Sequence, residues 1–170
     1  MRGVDHEPEE DFAEFYRTSV DVCLRAVYAS VGDKALAEDL TAEAFARAYA
    51  SWPKVSRHPA PRAWVVRTAL NAHISWWRRR KREVAWDAGI DRAVGGEPAL
   101  GLDPTILAAL RALPPRQRQV LALRIFLDLD TATTASALGI APGTVAAHLS
   151  RATAALRGAL ASASGQESMQ

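Results

Sequence analysis

Residues 62–82 place Trp64, Trp76 and Trp77 among Arg62, Arg67, Arg78, Arg79, Arg80, Lys81 and Arg82. Seven cations and no acid share this stretch, and the segments on either side are neutral or acidic. Tryptophan faces stack on unpaired bases, for about 1–3 kcal/mol each, while neighbouring cations follow the phosphates. The chemistry these residue types can do is to hold single-stranded nucleic acid. A helix turns roughly 100° per residue, so the five charges at 78–82 cannot all share one face. Some of them must simply be solvated.

A second group lies at residues 128–151, DLDTATTASALGIAPGTVAAHLSR. Its order is short helix, glycine turn, second helix, the layout of a helix-turn-helix. Ala135, Leu138, Ile140, Val145 and Leu149 would pack the two helices together, with Gly139 as the turn. Thr144, Ala146, Ala147, His148, Ser150 and Arg151 would then face a major groove. Alanines offer no donors to base edges, so this surface is poorly furnished for direct readout. A third group is acidic: Glu38, Asp39 and Glu43. Periodicity alone makes it a solvated helix face.

Catalytic chemistry finds little footing. His6, His58, His73 and His148 lack metal-ligand spacing, and the single cysteine, Cys23, makes neither an internal disulfide nor a thiolate zinc site. No G-x-S-x-G and no phosphate-cradling glycine loop occurs. His73 reads as a packed or solvated residue, and Cys23 as a core residue on an apolar stripe. The expectation is no metal, no cofactor and no catalytic residue. The acidic N-terminus has no apolar stretch of a secretory signal, and no run of about 18 apolar residues exists. The expected location is the cytoplasm.

Helices must position these groups. Phe12, Phe15, Tyr16, Ser19, Val22, Cys23, Ala26 and Val27 form one 3–4 spaced stripe. Gly32 interrupts it, and Asp33 can cap a second helix carrying Leu36, Leu40, Ala44, Phe45 and Ala48. Three prolines in residues 53–61 predict a loop, and Pro61 suits the first turn of the helix bearing the basic island. Residues 83–105 gain Gly, Pro, Asp and Glu and lose periodicity, which predicts a linker. Asp103-Pro104 restarts the helices, Pro114-Pro115 separates two of them, and Thr131–Leu138 and Pro142–Leu160 complete the set. The small polar tail after Ser162 is expected to fray. The fold class is all-α: two small helical lobes joined by a flexible linker, the C-terminal one a helix-turn-helix. Each lobe is small enough to be marginally stable alone.

The order of these pieces resembles the extracytoplasmic-function sigma factors of bacterial RNA polymerase. The resemblance covers about residues 11–160, and the sequence has an actinobacterial look. AEDLTAEAFARAYASW (37–52) resembles the polymerase-clamp-binding helix. PRAWVVRTALNAHISWWRRRKRE (61–83) resembles the promoter-melting, −10-reading helix, and residues 110–157 resemble the −35-reading lobe. The implied organisation is a region 2-like lobe at 8–82, a linker at 83–105 and a region 4-like lobe at 106–162. Asp39, Glu43, Phe45 and Arg47 then match positions that dock on the β′ clamp helices. Trp64, Arg67, Asn71, Trp76, Trp77, Arg78, Arg79 and Arg80 match the −10 strand-binding and melting region. Arg116 and Arg118 match positions near the β flap or the −35 backbone, and Thr144, Ala147, His148 and Arg151 match the −35 recognition helix. Implied partners are core RNA polymerase, promoter DNA and an anti-sigma factor, with no membrane insertion.

Several positions depart from the family. Ala42 stands where Gln is common, Thr133-Thr134-Ala135 where Glu-Ile-Ala is common, and Ala146 and His148 where Lys or Arg is usual. Each phosphate left without a cation lowers the salt dependence of duplex binding by about 0.9. A −35 grip weaker than typical is therefore expected, with Arg151 carrying more of it. Ala141 fills the N-cap place of the recognition helix, where Ser would stabilise by about 1 kcal/mol. Two other functions compete: a stand-alone duplex-binding regulator, which needs neither the tryptophans nor the acidic face, and a degenerate homologue that only sequesters a partner.

Overall fold

A computed structural model describes residues 8–83 and 99–167, and every regular element among them is helical. The first half holds α1 (Pro8–Val31), α2 (Lys34–Ala50), α3 (Trp52–Val55) and α4 (Pro61–Glu83). A 3-10 turn at Ala99–Gly101 leads into α5 (Pro104–Ala112) and α6 (Pro115–Leu121), and α6 widens into a π turn at Ala122–Phe126. Then come α7 (Thr131–Leu138) and α8 (Pro142–Glu167). Most of the expected linker, residues 84–98, lies outside the described residues.

The helix ends follow from local chemistry. Gly32, at φ +75°, turns the chain after α1, and its N–H donates to the Tyr28 carbonyl at 2.8 Å. Asp33 then caps α2 by accepting from the Leu36 N–H at 3.0 Å. Asp103 accepts from Thr105 N at 2.7 Å, and Asp130 from Thr133 N at 2.7 Å, so both short helices start on a carboxylate. Gly139, at φ +65°, ends α7 and makes the turn of the helix-turn-helix.

Two elements differ from the sequence expectation. The proline-rich segment begins with a helical turn, α3, because Pro53 occupies a first-turn position where a missing N–H costs nothing. The C-terminal helix runs on to Glu167 instead of fraying after Ser162. Ser162 and Ser164 donate their hydroxyls to the Gly158 and Leu160 carbonyls, each at 3.0 Å, which keeps these side chains on the helix.

The first core packs Val27 of α1, Leu40 and Phe45 of α2, Val55 of α3, and Val65, Val66 and Leu70 of α4. Its outer end is aromatic. Phe12, Phe15 and Tyr16 of α1 meet Phe45, Tyr49 and Trp52, with ring centroids 5.0 Å apart for Phe12–Tyr49 and 5.1 Å for Phe15–Trp52. In the second half, Val120, Ala135 and Val145 form the helix-turn-helix core, with Leu138, Ile140 and Leu149 packed against it. Val120 apart, these are the packing residues expected from the sequence.

The halves do not stand apart. Ala122, Leu123 and Ala137 of the second half belong to the first core, and Ala29 of α1 belongs to a cluster with Leu110, Leu113, Leu121 and Ala152. Helix α1 is thus shared by both halves. Gly32 marks how tightly they meet, since a Cβ there would come within 2.6 Å of Arg111 Nε. The two expected helical lobes are present, and they pack against each other through two of the three buried clusters among the described residues. Burying an aliphatic side chain is worth about 1.5–3 kcal/mol, which favours closure wherever two apolar faces fit.

Candidate nucleic-acid and polymerase interfaces

Helix α2 buries Ala37, Leu40, Ala44, Phe45 and Ala48 and turns the residues between them outward. Asp39, Glu43 and Arg47 are spaced by four residues and therefore share one exposed row. Arg47 pairs with Glu43, and Lys34 with Glu38 at 3.8 Å, while Asp39 makes no ion pair among the described residues. Exposed pairs of this kind add little stability, so the row is available for a partner. Phe45 is only 2% exposed, with its ring 5.0 Å from Tyr16 and 5.8 Å from Phe15. It shapes this face from beneath and does not present its ring.

Helix α4 buries Ala63, Val65, Val66, Ala69 and Leu70. Arg67 and Asn71, one turn apart, are exposed, and Trp64 is half-buried against the core. Farther along, Trp76 is 41% exposed, and the guanidinium carbon of Arg80 lies 4.7 Å from its ring centroid. Arg78 and Arg79 are exposed beside it. The Trp77 side chain lies outside the described residues. A stacked cation holds an aromatic face ready for a base without occupying its other side.

Arg62 does not join this cationic surface. Its Nε donates to Ser19 Oγ at 3.0 Å and its terminal nitrogen to the Thr18 carbonyl at 2.9 Å, which fastens α4 to α1. Beneath it, burial pushes the Cys23 thiol up to about 12, with only a small opposing pull from Arg62. Such a thiol stays protonated and is no nucleophile.

On α8, Thr144, His148 and Arg151 fall on one stripe at i, i+4 and i+7. Thr144 and Arg151 are exposed, and Ala147 and His148 half-buried. Nδ1 of His148 is buried without a hydrogen-bond partner. The helix starts after Ala141, whose carbonyl accepts from Thr144 N and Val145 N but whose side chain caps nothing.

The remaining two candidates meet the first half instead. Arg116, exposed on α6, donates to Gln119 Oε1 at 3.1 Å. Arg118 is half-buried beside His73 of α4, whose pKa is lowered by burial first and by the Arg118 charge second. Burial, and then Arg111, likewise lower the pKa of Arg118 itself. Between α4, α6 and α7 lies a cavity of about 70 Å³ lined by Arg67, Leu70, Asn71, Ile74, Arg116, Gln119, Ala137 and Leu138. Residues from the −10 and −35 groups therefore share one cleft. Sequence reasoning missed Gln119 and this juxtaposition. No local signal marks it, because about 45 residues and the linker separate the two sides.

Comparison with known proteins places these faces in context. The family model for sigma-70 region 2 matches residues 15–83, and that for sigma-70 region 4 matches residues 105–156. The RNA polymerase sigma-E factor of Streptomyces avermitilis is 36% identical over 149 residues, covering 86% of this chain and 83% of that protein. The ECF RNA polymerase sigma factor SigW of Bacillus subtilis is 26% identical, covering 92% of each. Among solved structures, the sigma factor RpoE of Bartonella quintana, in complex with the anti-sigma factor NepR, superposes with a TM-score of 0.73 at 24% identity. It covers 89% of this chain and 97% of that one, and supports the fold.

Proposed function

The chain belongs to the extracytoplasmic-function group of the sigma-70 family of RNA polymerase sigma factors, and from that premise we propose how its faces divide the work. It is a sigma factor that binds core RNA polymerase, recognises promoter −35 and −10 elements and helps melt DNA. In our assignment, residues 8–82 bind core and open the −10 element, and residues 106–162 grip the −35 element. Asp39, Glu43 and Arg47 dock on the β′ clamp, with Phe45 setting the pitch of their helix.

The observation that carries the reading is the outer half of α4. There an exposed Trp76, backed by Arg80, sits within a row of cations on the helix that matches region 2. Extruding a base costs a few kcal/mol of stacking energy. Trp76 and Trp77 return part of it by stacking, and Arg67, Arg78, Arg79 and Arg80 neutralise the strand's phosphates. Asn71 supplies hydrogen bonds to a base edge, and Trp64 supports the loop that receives it. On α8, Arg151 and Thr144 contact phosphates, His148 reaches the groove, and Ala147 offers only an apolar contact such as a thymine methyl. Arg116 and Arg118 serve the β flap or the −35 backbone once the halves part. No residue is assigned a catalytic role. We place the protein in the cytoplasm, and no helix among the described residues is long and apolar enough to cross a membrane. A partner of the anti-sigma class, such as the Bartonella protein has, belongs to the same proposal.

The test is binding to core RNA polymerase followed by permanganate footprinting on upstream DNA. Core binding with reactive thymines near −10 is the expected result. Duplex binding without core binding would make the chain a stand-alone regulator. Asp39→Ala should weaken core binding at least about tenfold, or about 1.4 kcal/mol, at unchanged thermal stability. Normal core binding by that variant would remove the clamp assignment.

A further inference from the structure

The seam between the halves carries cations on both sides. Helix α4 contributes Arg67, α6 contributes Arg116 and Arg118, and Arg111 of α5 stands near Arg118. Among the described residues, no carboxylate lines the cavity between them. Helix α7, TATTASAL, has no charged side chain, and its nearest acid, the capping Asp130, sits at the opposite end beside Arg124. At the C-terminus of α7, Gly139 N and Ile140 N donate to the Ser136 and Ala135 carbonyls. Partial burial of like charges opposes closure unless an anion offsets them, while the packing of Ala122, Leu123 and Ala137 favours it. The Nε of Arg118 is buried with no hydrogen-bond partner.

We propose that the cleft is a site for one phosphate-class oxyanion, which bridges Arg67 of α4 and Arg116 of α6 and holds the halves together. A water's share of liquid volume is about 30 Å³, so a 70 Å³ cavity has room for a single tetrahedral anion. Arg67 and Arg116 supply planar forks suited to two oxygens each. The Gln119 oxygen is taken by Arg116, which leaves its amide N–H groups to donate, as do those of Asn71. The ion occupies Arg67 and Asn71, so it excludes the −10 strand from them. That consequence rests on the strand-binding assignment, whereas the site itself does not.

The experiment titrates the full chain with inorganic phosphate at constant ionic strength, chloride balancing, by calorimetry and small-angle scattering. One saturable site is expected, with a radius of gyration no larger than without phosphate. Arg116→Gln, at an exposed position whose only described bond is to Gln119, should weaken binding at least about tenfold by losing a charge-assisted bond. Lys54→Gln, an exposed cation off the seam, should not change it. No saturable binding, equal binding by Arg116→Gln, or expansion on binding overturns the proposal. The titration holds no DNA and no polymerase, so its failure leaves the promoter-reading assignments untouched. With phosphate bound, a single-stranded oligonucleotide that binds as tightly as without it would overturn the exclusion.

Discussion

Helices α4 and α8 carry the two nucleic-acid faces that we propose, and they are opposite in kind. Helix α4 is richly furnished with tryptophan, arginine and asparagine, but at Arg67 and Asn71 it lies against the second half. Helix α8 is open at Thr144 and Arg151, but alanine and a half-buried histidine fill the positions between. Helix α4 thus borders the seam at one turn and is open at Trp76 and Arg78 to Arg80, while α8 is open but thinly furnished.

The sharpest way to break this contrast is at the joint. Leu123 is fully buried in a core drawn from both halves. Leu123→Ala should destabilise by about 2–5 kcal/mol, seen as a lowered thermal midpoint with one shared transition. Two separate transitions in the wild type would mean that the halves fold independently and that α4 is not covered in solution.

Next in size is Trp76→Ala. It should weaken −10 single-strand binding by about 1–3 kcal/mol, roughly fivefold to 150-fold, and leave −35 duplex binding unchanged. Unchanged strand binding would move the affinity of α4 onto its arginines. On the other face, Arg151→Gln should lower the salt slope of duplex binding by about 0.9. A flat response would leave α8 with no phosphate contact at that position.

The smallest effect is a pH response at the seam. Burial and Arg118 hold His73 below its ordinary 6.5 in the closed arrangement, with Arg111 standing behind Arg118. A lowered imidazole pKa favours closure fully above 6.5. That contribution falls away as pH drops below 6.5 and through the closed-state value, because the open state takes up the proton first. Scattering should show expansion on mild acidification, and His73→Gln should abolish it. Expansion that persists in the variant would assign the response to another group.

Much of this was legible along the chain. Asp33, Asp103 and Asp130 cap, Pro61 opens α4, and Gly139 turns the helix-turn-helix, because caps and turns are decided by neighbours within four residues. The helices carrying Asp39, Trp76 and Arg151 were also legible from their periodicity, whereas the roles proposed for Asp39 and its neighbours came from the family resemblance. Residue type misled where a side chain found a distant use. Arg62, a member of the cationic island by type and position, is tied to Ser19 and Thr18. Phe45, matched by resemblance to a docking position, lies under α2.

The sequence by itself determined the all-helical class, most helix starts and the order of the helices, because those depend on short-range spacing and hydrogen bonding. Only the tertiary structure decided that α1 serves both halves, that Arg118 faces His73, and that Arg67 and Arg116 share a cavity. Those contacts join residues about 45 or more positions apart. They depend on whether two apolar surfaces fit, a property of shape that no local pattern encodes.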